Sequence, residues 1–273
     1  MRVRNGIIVA GAALGVSLAA PAARAGAIDV QYAVSLAGLS LGTATLKGNV
    51  TAKAYTLNAG ASLSGLAGMV TGGRGSAVAT GVIDGRRTIP ANYSVTAANS
   101  EMTRTLQMGV SGGAVQQVVI NPPLDEHQDR VAVTAAHKLG IADPLGAMLM
   151  PTAAAKPEDA CNRTIPVFDG AQRFDIQLSY AGTRTVAAED GYAGPVMICK
   201  VRYTPIAGHR PSRKSVQYMA ANRDMEAWLA PSGVEGVYLP FRIAVKTQIG
   251  TTVVQATRYR FEQSETTASI PRR

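Results

Sequence analysis

The sequence predicts an all-β protein built mostly from antiparallel strands, arranged as a sandwich, a barrel or a strongly curved sheet. Three observations predict it. Apolar residues alternate with polar ones at period two in several separate runs, the signature of strands with one face buried and one in water. Glycine-containing turn pairs separate these runs at roughly 10-residue spacing. Long helical patterns, which a parallel α/β scaffold requires, do not occur.

Taken in order, the first run places Ile28, Val30, Tyr32, Val34 and Leu36 on one face and Asp29, Gln31, Ala33 and Ser35 on the other. Leu106, Met108 and Val110 alternate with Thr105, Gln107 and Gly109. Phe174, Ile176, Leu178 and Tyr180 alternate with Arg173, Asp175, Gln177 and Ser179, and Tyr259 and Phe261 with Arg258, Arg260 and Glu262. Asp84-Gly85, Gly112-Gly113, Asp169-Gly170 and Asp190-Gly191 supply the residues that tight hairpins demand. An insertion at about 121–160 interrupts the pattern between an N-terminal meander and a C-terminal one. Within it Asp143 followed by Pro144 reads as an N-cap with proline at the first helical position, opening one short helix with Leu145, Met148 and Leu149 on one face. The insertion reads either as the carrier of function or as a plug over an open end of the sheet. Residues 26–263 are expected to form one domain, and residues 264–273 a disordered polar tail.

The chain opens with a segment of a different kind. Arg2 and Arg4 precede an uncharged run from Gly6 to Ala20, and Ala23-Arg24-Ala25 stands before Gly26. A charged start, an apolar middle and small residues at the end make residues 1–25 a cleavable secretory leader. The apolar run is shorter than the ~20 residues that span a bilayer, and no later stretch is long and apolar enough to do so. The expected location is therefore periplasmic, with no transmembrane span in the mature form. Cleavage removes Arg2, Arg4 and Arg24 and takes the formal charge from +9 to +6. Export argues against nucleic acid as the target of that charge; anionic envelope polymers or lipid head groups are the alternative to plain solubility. The two cysteines, Cys161 and Cys199, form an even pair in an oxidising compartment, and a structural disulfide is expected.

Motifs for chemistry are few. Gly38-Leu39-Ser40-Leu41-Gly42 matches a serine nucleophile pattern, but that chemistry needs a helix after the serine and Thr43–Lys47 reads as a strand. His127, His137 and His209 fall in no metal-binding spacing. His209, Arg210, Arg213 and Lys214 concentrate positive charge in one loop and are the candidate contacts for an anion or ligand. Glu158/Asp159 and Glu189/Asp190 read as loop residues. No cofactor motif is present.

Asp143-Pro144, Cys161-Asn162-Arg163-Thr164 and Val167-Phe168-Asp169-Gly170 with Arg173 occur in that order, followed by Cys199 and Tyr203-Thr204-Pro205-Ile206-Ala207-Gly208-His209. With Tyr32, Leu39–Gly42 and Leu239-Pro240-Phe241-Arg242-Ile243, this series resembles the exported bacterial family called domain of unknown function 3108, over roughly 28–263. The resemblance implies a periplasmic, largely antiparallel sheet that curls into a curved open sheet or a spiral half-barrel. It brings no catalytic residues with it. The leading expectation is a non-catalytic envelope protein that binds an apolar or amphipathic ligand, a lipid or envelope polymer, or another envelope protein. The alternatives are an envelope-acting hydrolase using Ser40 or His209, and a structural subunit docking through the insertion.

Overall fold

The computed structural model describes residues 25–64, 72–152 and 157–264. The leader and the tail are expected on residues 1–25 and 264–273, and all of these but Ala25 and Ser264 lie outside the described residues. The strands are β1 (Ala25–Leu36), β2 (Leu39–Val50), β3 (Ala54–Leu63), β4 (Arg74–Asp84), β5 (Arg87–Ala98), β6 (Thr103–Ser111) and β7 (Ala114–Asn121). After the insertion come β8 (Met150–Pro151), β9 (Arg163–Phe168), β10 (Arg173–Ala187), β11 (Asp190–Gly191) and β12 (Ala193–Ala207). Helix α1 (Lys214–Ala221) precedes β13 (Met225–Pro231), β14 (Val237–Thr247) and β15 (Gly250–Ser264).

One sheet runs β7-β6-β5-β4-β3-β2-β1-β15-β14-β13-β12-β10-β9. The two meanders join where β1 pairs with β15, so the two ends of the described chain meet in the middle of the sheet. The fold is all-β and mostly antiparallel, and the sheet is open, with β7 and β9 at its edges. Exposed edges invite pairing with other chains, and here the insertion spans the gap between them. Gly140 donates to the Gly113 carbonyl at 2.8 Å beside β7, and Ala142 donates to Pro166 at 2.8 Å while Phe168 donates back to Ala142 at 3.0 Å beside β9.

Turn chemistry explains the hairpins. Gly112 and Gly113 both take positive φ (60° and 73°) between paired Ser111 and Ala114, the geometry a two-residue hairpin loop imposes. Asp190-Gly191 departs from the expected turn. It forms β11, which pairs in parallel with Arg258-Tyr259 after β14 has left β15, and Asp190 is ion-paired with Arg258 (2.9 Å) and Arg260 (2.6 Å).

The short helix expected after Asp143-Pro144 is a single 3-10 turn, Gly146–Met148. It ends at once because Met150–Pro151 turn extended to pair with Tyr238 and Val237 of β14. Among the described residues the α-helix is α1, outside the insertion. Its apolar stripe is only Val216, Met219 and Ala220, all half-buried, too short a pattern to announce a helix among the strands.

Two buried clusters flank the insertion. The first takes the inward faces of β1–β6, including Val30, Leu46, Leu57 and Met108, together with Ile141, Leu145 and Leu149 of the insertion. The second surrounds the buried disulfide between Cys161 and Cys199, with Ala142, Met150, Val167 and Leu229. The bridge ties the end of the insertion to β12, with the two Cα atoms 5.3 Å apart. Constraining a 38-residue separation in the unfolded chain is worth about 4 kcal/mol on the chain-entropy account. Replacing both cysteines by serine should therefore lower unfolding free energy by about that amount in a urea titration; an unchanged midpoint would show the bridge to be idle.

Candidate functional site

The insertion packs as a plug into the concave face of the open sheet, and a buried carboxylate fixes it there. Asp143 is fully buried. Its Oδ1 accepts the main-chain N–H groups of Leu145 and Gly146, each at 2.9 Å, and its Oδ2 accepts the Tyr55 hydroxyl of β3 at 2.8 Å. Burial pushes the Asp143 carboxyl above the usual carboxylate range, outweighing the three hydrogen bonds that pull it down. Burial and the neighbouring Asp143 likewise raise the Tyr55 hydroxyl. Arginines clamp the plug's rim to the β4–β5 turn. Arg86 donates to the carbonyls of Asp159 (2.6 Å) and Asn162 (2.8 Å), and Arg163 donates to those of Arg86 (3.0 Å) and Pro151 (2.6 Å). Burial, with the charge of Arg86 beside it, lowers Arg163 to about 10.

Beyond Met148 of the plug the inner face of the curved sheet is left as an open apolar hollow. A cavity of about 260 Å³ is bounded by Tyr32, Leu46, Tyr93, Val95, Met148 and Val254. Its width comes from small residues in register across neighbouring strands. Leu46, Ala59, Ala77 and Val95 form one cross-strand row, and Ala44, Ala61 and Gly75 the next. The plug covers the end of the sheet that carries the Asp84–Arg87 turn, while the cavity lies towards the opposite end, where the Leu36–Leu39 turn lies.

The expected basic loop lies at that opposite end, and its residues are put to different uses. Arg210 is held by Asp129 at 2.9 Å, and the Ser212 hydroxyl also donates to Asp129. The Ser212 and Arg210 hydrogen bonds hold the Asp129 carboxyl below its usual range. His209 pairs through its main chain with Val131. His209, Arg210 and Arg213 line a cleft of about 430 Å³; Lys214 is exposed at the start of α1 and is not among its lining residues. The same cleft gathers Arg104, His127 and Arg130 from remote parts of the chain. Sequence spacing held no sign of these three, because β6 and the insertion reach the cleft only through the curvature of the folded sheet.

Ser40 is exposed at the start of β2, and the strand continues to Val50 where a nucleophile motif needs a helix. Ala37 and Gly38, with φ of 49° and 84°, make its glycine-bordered segment the β1–β2 turn. Among the described residues no group of three or more His, Cys, Asp and Glu is placed to hold a metal ion. No helix among them is long and apolar enough to cross a membrane.

A family model described as "Protein of unknown function (DUF3108)" matches residues 31–257, the whole span from β1 through the plug to β15. The chain belongs to this DUF3108 family. No curated protein matches it. A solved structure similar to this DUF3108 protein is that of a beta-barrel-like protein of domain of unknown function DUF1849 from Brucella abortus. It is 11% identical, covers 89% of this chain and 98% of that chain, and gives a TM-score of 0.48.

Asp143 yields a test with a defined sign. A carboxyl whose folded pKa lies above its unfolded value is protonated more in the folded state. Its contribution to stability is therefore present below the unfolded pKa and is lost as pH rises through the folded one. Asp143→Asn should remove that component of the pH dependence at a cost of about 1 kcal/mol, since an amide oxygen still accepts the two main-chain N–H groups. Asp143→Ala leaves those groups and the Tyr55 hydroxyl unpaired and should cost about 3 kcal/mol or more. Unfolding curves across pH 3–8 for the three proteins would decide; identical pH profiles for wild type and Asp143→Asn would refute the assignment.

Proposed function

We propose that this DUF3108 protein is an exported, non-catalytic binding protein of the cell envelope that holds an apolar or amphipathic ligand in its hollow half-barrel. The observation that carries this reading is the cavity over the plug. Protein interiors are normally packed to crystal-like density. Here alanine and glycine stand in adjacent rows where leucine, tyrosine and valine fill the rest of the same face. Concave apolar spaces of this kind are the usual sites for small ligands. The expected leader at residues 1–25 and a buried disulfide both fit an oxidising compartment outside the cytoplasm.

The test is to fill the space. Ala59→Leu with Ala77→Leu places two branched side chains in the row that spans the hollow. Wild-type protein should bind a polarity-sensitive apolar fluorophore saturably and release it to a lipid extract, and the filled variant should bind at least about tenfold more weakly while keeping its melting temperature. Native mass spectrometry of protein purified from the periplasm should show a ligand mass that the filled variant lacks. A wild type that takes up no probe and carries no ligand would sink the proposal.

A further inference from the structure

The basic cleft has a composition that the apolar hollow does not explain. Arg104, Arg130 and Arg213 line it with His127 and His209, against the single carboxylate of Asp125. Of the other nearby acids, Glu126 is exposed and lines the adjoining depression, while Asp129 and Asp169 are committed elsewhere. Asp129 holds Arg210 and Ser212, and Asp169 accepts the main-chain N–H groups of Ala171 (2.8 Å) and Gln172 (2.6 Å). Arg130 spends its guanidinium on main-chain carbonyls, those of Gly208 at 2.7 Å and Asp125 at 3.4 Å. Arg213 is exposed and its guanidinium has no protein acceptor, and the Arg104 guanidinium reaches only the Met102 sulfur at 3.9 Å. Two nitrogens in the cleft, Arg104 Nε and His209 Nδ1, are shielded from solvent without a partner. Buried polar atoms of this kind are rare and costly in native proteins. Arg104 and Arg213, two guanidinium groups without a carboxylate partner lining one cleft, offer what a carboxylate or phosphate requires, since hydrogen bonds to an ionised group are about twice as strong as neutral ones.

The cleft also has a fixed relation to the hollow. Arg104 pairs with Ala97, and Ala97 with Gly75, so Arg104 ends the same cross-strand row that lines the cavity as Ala44, Ala61 and Gly75. Arg104 shares a face of β6 with Leu106 and Met108, which pack in the first cluster. Two strand spacings put its Cα roughly 10 Å from that of Gly75. An anionic group in the cleft is therefore placed at the rim of the apolar space.

We propose that this cleft is a binding site for an anionic group, a carboxylate or a phosphate, held chiefly by Arg104, Arg213 and His209. The group is either the head of an amphiphile whose chain occupies the hollow, which rests on the preceding reading, or a free small anion, which does not.

The experiment titrates wild type and the double variant Arg104→Gln/Arg213→Gln with inorganic phosphate, decanoate and decan-1-ol, followed by amide chemical shifts. Saturable phosphate binding by wild type, weakened at least about tenfold in the variant, supports the site. Decanoate binding about tenfold more tightly than decanol, with the difference lost in the variant while decanol affinity is kept, identifies the amphiphile head as the occupant. Phosphate binding with equal decanoate and decanol affinities identifies a free anion. Failure of decanol to bind at all counts against the hollow as a ligand site and leaves the cleft to be judged by phosphate. Absence of phosphate and decanoate binding, or binding that the double variant leaves unchanged, overturns the proposal.

Discussion

The structure depends on the hydrogen bonds to one buried carboxylate. An open sheet of this size has an exposed edge on either side and an interior too wide for its own side chains, so something must enter it. The insertion does so, and Asp143 is the point at which it is held. Three N–H and O–H donors converge on the carboxyl and offset part of the cost of burying it without a cation; burial still outweighs them, which is why its pKa is raised. The apolar side chains beside it supply most of the energy; burying Leu145 and Leu149 is worth about 2 kcal/mol each. Asp143 determines where that energy is realised, because only one depth of insertion brings Oδ2 to the Tyr55 hydroxyl.

The hollow follows from that placement. The plug stops at Met148, and beyond it the inward positions of β2, β3 and β4 shrink to alanine and glycine. A core selected only for stability would fill those rows, since each missing methylene forfeits transfer energy and contacts. The two ends of the curved sheet thus serve different purposes. One is closed by the insertion, the arginine clamp and the disulfide; the other carries the apolar space and the cationic cleft.

Much of the fold was legible in the residues, and the reason is local. Alternation at Ile28–Leu36 and Phe174–Tyr180, and paired glycines at Gly112-Gly113, act through strand geometry and φ alone, without knowledge of distant partners. Asp143 was legible as a cap, and it does accept the next N–H groups, yet the helix it opens lasts one turn because β14 draws Met150 and Pro151 into a strand. Helix α1 is hard to read for the converse reason: its two turns hold only Val216, Met219 and Ala220 on one face, too brief a period to separate from the strand patterns around it. The site was half legible. His209, Arg210 and Arg213 stood out by adjacency, but Arg210 is neutralised by Asp129, 81 residues away, and Arg104 joins the cleft only through the sheet. The small-residue rows were present in the sequence, but they become a cavity only once cross-strand register is known.

The plug leaves an open, apolar space above Met148. Xenon enters such spaces and scatters strongly, so diffraction from a crystal pressurised with xenon tests the claim directly. The account predicts xenon bounded by Ala59, Ala77, Val95 and Met148. A crystal in which Tyr32, Tyr93 or Met148 has swung inward to fill that volume, with no xenon bound, would contradict it.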